Sequence, residues 1–153
     1  MTLKSGTYII SSKSEDSYVG RNSVEDKSLH PKRVVVLPQG IEAPKVRHLW
    51  EIEALPDEIY ILRIGGGFAA EINKLLFAVL IERPEDAVWK IVPQPREGEH
   101  TYTILLAGRP SDGWFVGPNI PEGEKQIAVH AIPVGLSLPP VYPTGALFRI
   151  VPA

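Results

Sequence analysis

A threefold internal repeat constrains the fold of this chain more than any other feature. Each copy begins with a tyrosine and ends with another aromatic residue, and both lie in stretches where apolar and polar residues alternate. The opening residues are Tyr8, Tyr60 and Tyr102, and the closing residues are Trp50, Trp89 and Phe148. Alternation with a period of two predicts strands with one buried face. One aromatic from each copy is then expected to meet the others at a common axis.

The interior of the repeat predicts two further strands in each copy. Residues 19–22 match residues 116–119, and the β-branched run 34–38 corresponds to residues 77–81 and 127–133. Four strands in each of three copies make twelve strands. We therefore predict an all-β chain with the β-trefoil architecture, in which a six-stranded barrel is closed by three hairpins. Such closure leaves no exposed sheet edges.

Length and composition fit one such domain over residues 1–153. A chain of 153 residues buries enough surface for a core of its own. There is no cysteine, so the fold has no disulfides and the core must hold it alone. The 15 prolines and 13 glycines are distributed along the chain, which is typical of turns between many short strands.

Two segments are less certain from the pattern. Residues 69–78 contain good helix formers, but the repeat favours a strand over residues 75–81 with a loop around residues 71–74. The proline-rich residues 135–143 are expected to form a stiff, extended surface loop.

Charge and hydropathy argue against several classes of partner. The formal net charge is −2, from 16 basic and 18 acidic side chains spread along the chain, whereas nucleic-acid binding needs a basic patch. The longest apolar run, residues 75–81, is too short to span a bilayer. The first six residues lack the apolar segment of a secretory signal. We expect a monomeric cytoplasmic protein that binds neither nucleic acid nor membrane.

The motifs of common enzymes and metal sites are missing. The four histidines show no spacing typical of metal ligands, and no Gly-x-Ser-x-Gly nucleophile motif occurs. The glycines at residues 65–67 lack the lysine of a phosphate-binding loop and indicate a turn. The sequence therefore predicts a binding protein rather than an enzyme, without a cofactor or a metal.

The candidate binding site is the polar loop between the strand at residues 18–19 and the strand at residues 34–37. Lys27 stands near its middle and is followed by the small Ser28, while Pro31 stiffens the exit. An extended, braced loop with one long cation has the shape of a bait for a protease that cleaves after Lys or Arg. A solvated hairpin loop whose lysine binds nothing is the ordinary alternative.

With the loop and the repeat established, the chain resembles the mushroom β-trefoil serine protease inhibitors, the mycospin family. The similarity extends over nearly the whole length. It is most specific at residues 5–10, 19–22, 25–29, 31–32 and 34–38, and again at residues 126–129 and 139–143. Members of this fungal family inhibit trypsin-like proteases through the loop between the second and third strands.

The resemblance implies a role for each residue of the loop. Lys27 would enter the specificity pocket, and the Lys27–Ser28 peptide would lie where a protease cleaves. The remaining loop residues would either contact the protease (Asp26, Glu25 and Leu29) or brace the loop (Arg21, Asn22 and Pro31). The natural target stays open, as does the choice between defence and control of endogenous enzymes.

Two alternatives remain open from the sequence. Related mushroom trefoils inhibit an asparagine-specific cysteine protease through an asparagine between the fifth and sixth strands, and Asn73 falls near that region. Ricin-type lectins share the fold and carry Gln-x-Trp in each copy. The glutamine is missing here, since the three corresponding positions are His48, Ala87 and Ala146.

Overall fold

The computed structural model describes residues 2–22, 25–39, 48–121, 123–134 and 141–153, which form twelve strands and three single 3-10 turns. The strands are β1 (Gly6–Ser12), β2 (Ser17–Arg21), β3 (Lys32–Val36), β4 (Leu49–Leu55), β5 (Ile59–Ile64), β6 (Gly67–Ile72), β7 (Leu75–Val79), β8 (Trp89–Pro93), β9 (Thr101–Leu106), β10 (Arg109–Asn119), β11 (Lys125–Ala131) and β12 (Phe148–Pro152). The 3-10 turns are Pro56–Glu58, Pro95–Glu97 and Thr144–Ala146. No helix in these ranges has the length and apolar character needed to cross a membrane. Residues 135–140 of the expected extended loop lie outside the described residues.

Six strands close into a barrel through antiparallel pairing. β1 pairs β4, β4 pairs β5, β5 pairs β8, β8 pairs β9, β9 pairs β12, and β12 returns to β1. The other six strands form the hairpins β2–β3, β6–β7 and β10–β11. One strand of each hairpin pairs with the next, β3 with β7, β7 with β11 and β11 with β3. These two closed rings confirm the β-trefoil predicted from the repeat.

The closing aromatics of the three copies surround a fourth ring in the core, and each of them contacts it. Trp114 on β10 lies with its ring centroid 5.5 Å from Trp50, 5.8 Å from Trp89 and 5.7 Å from Phe148. All four side chains are fully buried. The corresponding positions of the first and second copies hold the small residues Ser17 and Gly67. One indole from the third copy therefore fills the centre alone, which breaks the threefold symmetry of the core.

Two of the closing aromatics also tie the barrel to the hairpins. The indole N–H of Trp50 donates to the carbonyl of Val19 on β2 over 2.8 Å. The indole N–H of Trp89 donates to the carbonyl of Ala69 on β6 over 3.0 Å. A buried carbonyl without a donor destabilises a fold, so these bonds fix each hairpin relative to the barrel.

The second copy settles the uncertain segment in favour of strands. β6 continues to Ile72 and β7 begins at Leu75, so the expected loop around residues 71–74 shrinks to the two-residue turn of Asn73 and Lys74. Both turn residues have positive φ, 52° and 66°, as a two-residue hairpin of type I′ requires. Residues 69–78 do not form a helix, because the cross-strand pairing of β6 with β7 outweighs their helix propensity.

Candidate functional site

The three hairpins of the fold differ most in their connections. β2 and β3 are joined by residues 22–31, whereas Asn73 and Lys74 alone join β6 to β7. Residues 120–124 join β10 to β11. Hairpin pairing needs only two linking residues, so the pairing of β2 with β3 does not account for the length of the first connection. We call residues 22–31 the β2–β3 loop.

The base of the β2–β3 loop continues the strand pairing. The backbone N–H of Asn22 donates to the carbonyl of Arg33 over 3.0 Å, and the Asn22 residue is only 2% exposed. Pro31 lies at the exit, exposed, directly before β3. Because its ring fixes φ, Pro31 limits the freedom of the chain where the loop rejoins the sheet.

An arginine braces the first half of the loop. Arg21 binds Glu25 through two parallel hydrogen bonds, from Nε to Oε2 over 2.9 Å and from Nη2 to Oε1 over 2.8 Å. Its Nη1 donates to the carbonyl of Gly65, in the turn between β5 and β6, over 2.9 Å. The fork of Arg21 thus joins the loop to the second copy. Such bidentate pairs fix geometry as well as charge.

Two successive side-chain turns shape the second half of the loop. One carboxylate oxygen of Asp26 accepts hydrogen bonds from the Ser28 backbone N–H over 2.9 Å and from the Ser28 hydroxyl over 2.5 Å. The Ser28 hydroxyl oxygen accepts the backbone N–H of His30 over 3.2 Å. These bonds bend the chain across residues 27–30, so this part of the loop is braced but curved rather than extended.

Lys32 anchors the loop from the sheet. Its ammonium lies 2.6 Å from the same carboxylate oxygen of Asp26 and donates to the Asp26 backbone carbonyl over 3.0 Å. The Lys32 side chain is 5% exposed, whereas that of Asp26 is 67% exposed. The ammonium of Lys32, together with the donors of Ser28, holds the pKa of the Asp26 carboxyl well below its usual range. Asp26 is therefore charged throughout the neutral and mildly acidic range.

The tip of the loop presents a cation and an apolar side chain. Lys27 is exposed, and Leu29 is 66% exposed, which makes it one of the most exposed large apolar residues described. Ser28 between them is half-buried by its contacts with Asp26. The tip thus presents two exposed long side chains on a backbone that hydrogen bonds brace on both sides of Lys27.

The structure changes the roles expected for two residues. Glu25 was grouped with the contact residues, but its carboxylate faces Arg21 and its side chain is 7% exposed, so it supports the loop from inside. No role is assigned to Lys32 from the sequence, whereas the structure places it at the start of β3 with its ammonium on Asp26. The available signal was a lysine within the buried run of β3, because a buried ammonium needs an acceptor nearby.

Asn73 does not occupy the position that suggested a second site. It lies between β6 and β7, whereas the connection between the fifth and sixth strands is the turn at Gly65 and Gly66. In the turn, the carboxylate of Glu71 accepts the backbone N–H of Lys74 over 2.6 Å. Only Asn73 and Lys74 lie outside the strand pairing, so the turn offers a protease too short a segment to bind.

At the positions of the lectin motif, the structure presents no ring to a sugar. The aromatics at the lectin-like positions, Trp50, Trp89 and Phe148, are fully buried. A ring that binds a sugar must present one face to solvent. These residues are therefore core residues, as the repeat predicted.

Comparisons with known proteins point in one direction. The model of the family described as peptidase inhibitor I66 matches residues 1–152. A "serine protease inhibitor" of Lentinula edodes is 35% identical over 150 residues, which cover 98% of each chain. The solved structure of a proteinase inhibitor from Coprinopsis cinerea is 36% identical, has a TM-score of 0.86, and covers 99% of this chain and 100% of that one. A designed threefold symmetric protein, ThreeFoil, has a TM-score of 0.70 at 13% identity, covers 97% of this chain and 99% of that one, and shares the fold alone.

Proposed function

Because the chain belongs to the peptidase inhibitor I66 family, we propose that it inhibits trypsin-like serine proteases, with Lys27 of the β2–β3 loop in the specificity pocket. Family membership makes it an inhibitor and not an enzyme, in agreement with the missing catalytic motifs. The name of the Lentinula edodes relative supports a serine protease as the target class. The trypsin-like specificity rests on Lys27 itself, since the trypsin pocket carries a buried aspartate that selects long cations.

One observation carries the proposal: the exposed Lys27 stands between two residues that are held in place. Asp26 before it is bound by Lys32, and Ser28 after it is bound by Asp26. A surface lysine on a mobile loop needs no such support. A bait loop does, because binding then costs little conformational entropy, and each side chain ordered on binding costs about 0.5–1.5 kcal/mol.

The chemistry of the contact follows from this arrangement. The ammonium of Lys27 would form a charge-assisted hydrogen bond in the acidic pocket, and the Lys27 carbonyl would face the nucleophile of the protease. Leu29, two residues further on, would add an apolar contact on the leaving-group side. Complexes of this kind bury about 1,600 Å² in total, more than the tip alone supplies, so surfaces next to the loop would take part.

A trypsin titration with matched lysine variants tests the proposal. We expect wild type to inhibit trypsin and Lys27→Ala to inhibit it at least about 30-fold more weakly, because losing a central hot spot costs about 2 kcal/mol or more. The control is Lys74→Ala, which removes an exposed lysine from the equivalent turn of the second copy and should inhibit like wild type. Both variants should melt close to wild type, since each position is exposed. Equal inhibition by Lys27→Ala and wild type would contradict the proposal.

A further inference from the structure

A small charged cluster spans the peptide bond after Lys27. It consists of Asp26 on one side of the bond and of Ser28 and Lys32 on the other, and we call it the Asp26–Lys32 clasp. One oxygen of Asp26 receives the Lys32 ammonium over 2.6 Å, the Ser28 hydroxyl over 2.5 Å and the Ser28 N–H over 2.9 Å. The clasp therefore joins the two sides of the bond without using the bond itself.

The anchor of the clasp is part of the sheet. Lys32 is the first residue of β3 and pairs with Ala78 of β7. Its side chain is 5% exposed, so its rotamer is fixed by packing, and its ammonium has the carboxylate and carbonyl oxygens of Asp26 as acceptors. A buried ammonium is costly without acceptors, so Lys32 holds Asp26 in place.

We propose that Lys32 is a positioning residue that, through Asp26, keeps the two ends of a cleaved Lys27–Ser28 bond together so that the protease can rejoin them. This inference rests on the proposed function. An inhibitor and a substrate would both present an exposed lysine to the same pocket. In this inference, Lys32 is the residue that makes the chain an inhibitor rather than a substrate.

Acylation balances with the protease as the only other reactant. In cleavage, the protease serine oxygen bonds to the Lys27 carbonyl carbon, the serine proton passes to the Ser28 nitrogen, and the carbon–nitrogen bond breaks. In the reverse step, the Ser28 amine attacks the ester, the peptide bond reforms, and the proton returns to the serine oxygen. Asp26 accepts a hydrogen bond from that same Ser28 nitrogen, so the leaving amine stays beside the ester. Free cleaved protein forms when water hydrolyses the ester to a Lys27 carboxylate, and the reversal of that step releases the water.

Both products of cleavage also remain attached to the fold. The piece ending at Lys27 contains β1 and β2, which pair with β12 and β3 of the other piece. These ladders hold the pieces together over the long range. The clasp acts at short range, where a displacement of a single ångström already slows a reaction.

The test compares Lys32→Met with Lys125→Met. Methionine keeps most of the length of the side chain and removes the charge. Lys125 forms a lysine–carboxylate pair elsewhere, with Glu15 over 2.8 Å. Each protein is incubated with catalytic amounts of trypsin, and both inhibition and cleavage at the Lys27–Ser28 bond are followed by assay and mass spectrometry. We expect wild type and Lys125→Met to stay inhibitory, and Lys32→Met to be cleaved at this bond and lose inhibition at least 10-fold faster.

A second measurement separates positioning from plain stability. Purified cleaved protein is mixed with trypsin, and reformation of the intact chain is measured. We expect the wild-type cleaved form to regain intact chain and the Lys32→Met form to regain at least 10-fold less, at a temperature where both are folded. If Lys32→Met fails to fold, Asp26→Asn, which alters an exposed side chain, takes its place with the same expectation.

The outcomes distinguish the inference from the function on which it rests. The role of the clasp is overturned if Lys32→Met inhibits trypsin initially and then matches wild type in both persistence of inhibition and rejoining. The same holds for Asp26→Asn where that variant replaces it. Either result leaves the proposed function standing. The inference and the proposed function are both overturned if wild type shows no initial inhibition, or if Lys27→Ala inhibits as well as wild type.

Discussion

The β2–β3 loop and the β6–β7 turn occupy the same position in two copies of one repeat, yet they are built in opposite ways. The turn is the shortest connection that joins two strands, and positive φ at Asn73 and Lys74 suits it to that task. The loop, residues 22–31, leaves the sheet and is braced by Arg21 and by the clasp. The comparison shows that the hairpin position itself does not require a loop.

The difference also shows where the scaffold permits variation. The strands on either side of both connections keep the repeat, since β3 and β7 pair with each other in the closed ring of hairpins. Variation in the strands would disturb that ring, whereas variation beyond their ends faces solvent. A rigid base with a variable tip is a common arrangement for binding loops.

Converting the loop into the turn should have the largest effect. Replacing residues 23–32 by Asn-Gly, between the paired residues Asn22 and Arg33, removes the tip and Lys32 together. We expect a folded protein by circular dichroism, because the second copy already uses such a turn, and no detectable trypsin inhibition.

The matched control places Asn-Gly at residues 73–74, where it should leave inhibition unchanged. Substantial inhibition by the loop-deleted protein would show that another surface binds the protease.

Changing the residue at the tip should change the target and not the fold. Lys27→Leu is expected to lose at least about 30-fold in trypsin inhibition and to gain inhibition of chymotrypsin, whose pocket is apolar. Lys27→Arg should keep trypsin inhibition, because it preserves charge and approximate length. Inhibition constants against both proteases check this, and tight trypsin binding by Lys27→Leu would mean that Lys27 lies outside the contact.

The architecture could be predicted from the sequence because the pattern of apolar residues repeats three times. Trp50, Trp89 and Phe148 recur at one position, and the strands around them alternate. The central position of Trp114 could not be predicted in this way, because its ring has no counterpart in the other copies. A repeat reveals what the copies share, and in this core a single ring from the third copy lies between the three closing aromatics.

The tip of the candidate site could be proposed from the sequence, but its support could not. Lys27 and Ser28 stand out because the loop around them is polar and ends in Pro31. Lys32 does not stand out, since its burial depends on an acceptor six positions earlier that folding brings to 2.6 Å. The inward position of Glu25 likewise depends on Arg21, and the sequence gives no sign of which carboxylate of the loop turns inwards.

The turn should tolerate change without effect on inhibition. Asn73→Ala replaces a residue that tolerates φ 52° with one that tolerates it less well, which should lower the free energy of unfolding by about 1 kcal/mol, whereas Asn73→Gly should be nearly neutral. Denaturant unfolding measures the first effect, and trypsin titration should show none. We also expect wild type to leave an asparagine-specific cysteine protease uninhibited. Inhibition of that enzyme, abolished by Asn73→Ala, would make the turn a second binding site.

The smallest expected change concerns acid, and it tests how firmly the clasp distinguishes the loop from the turn. The pKa of Asp26 is lowered by Lys32 and Ser28, so the charged clasp stabilises the folded loop at every pH above the ordinary aspartate value of about 3.9. That contribution is lost only as the pH falls through the lowered value. A carboxyl-carbon NMR titration should therefore show no step for Asp26 near pH 3.9, whereas in Lys32→Met the step should move towards that value. A wild-type midpoint near 3.9 would mean that the ion pair is not formed in solution, and the bonds from Arg21 would then be the brace that distinguishes the loop from the turn.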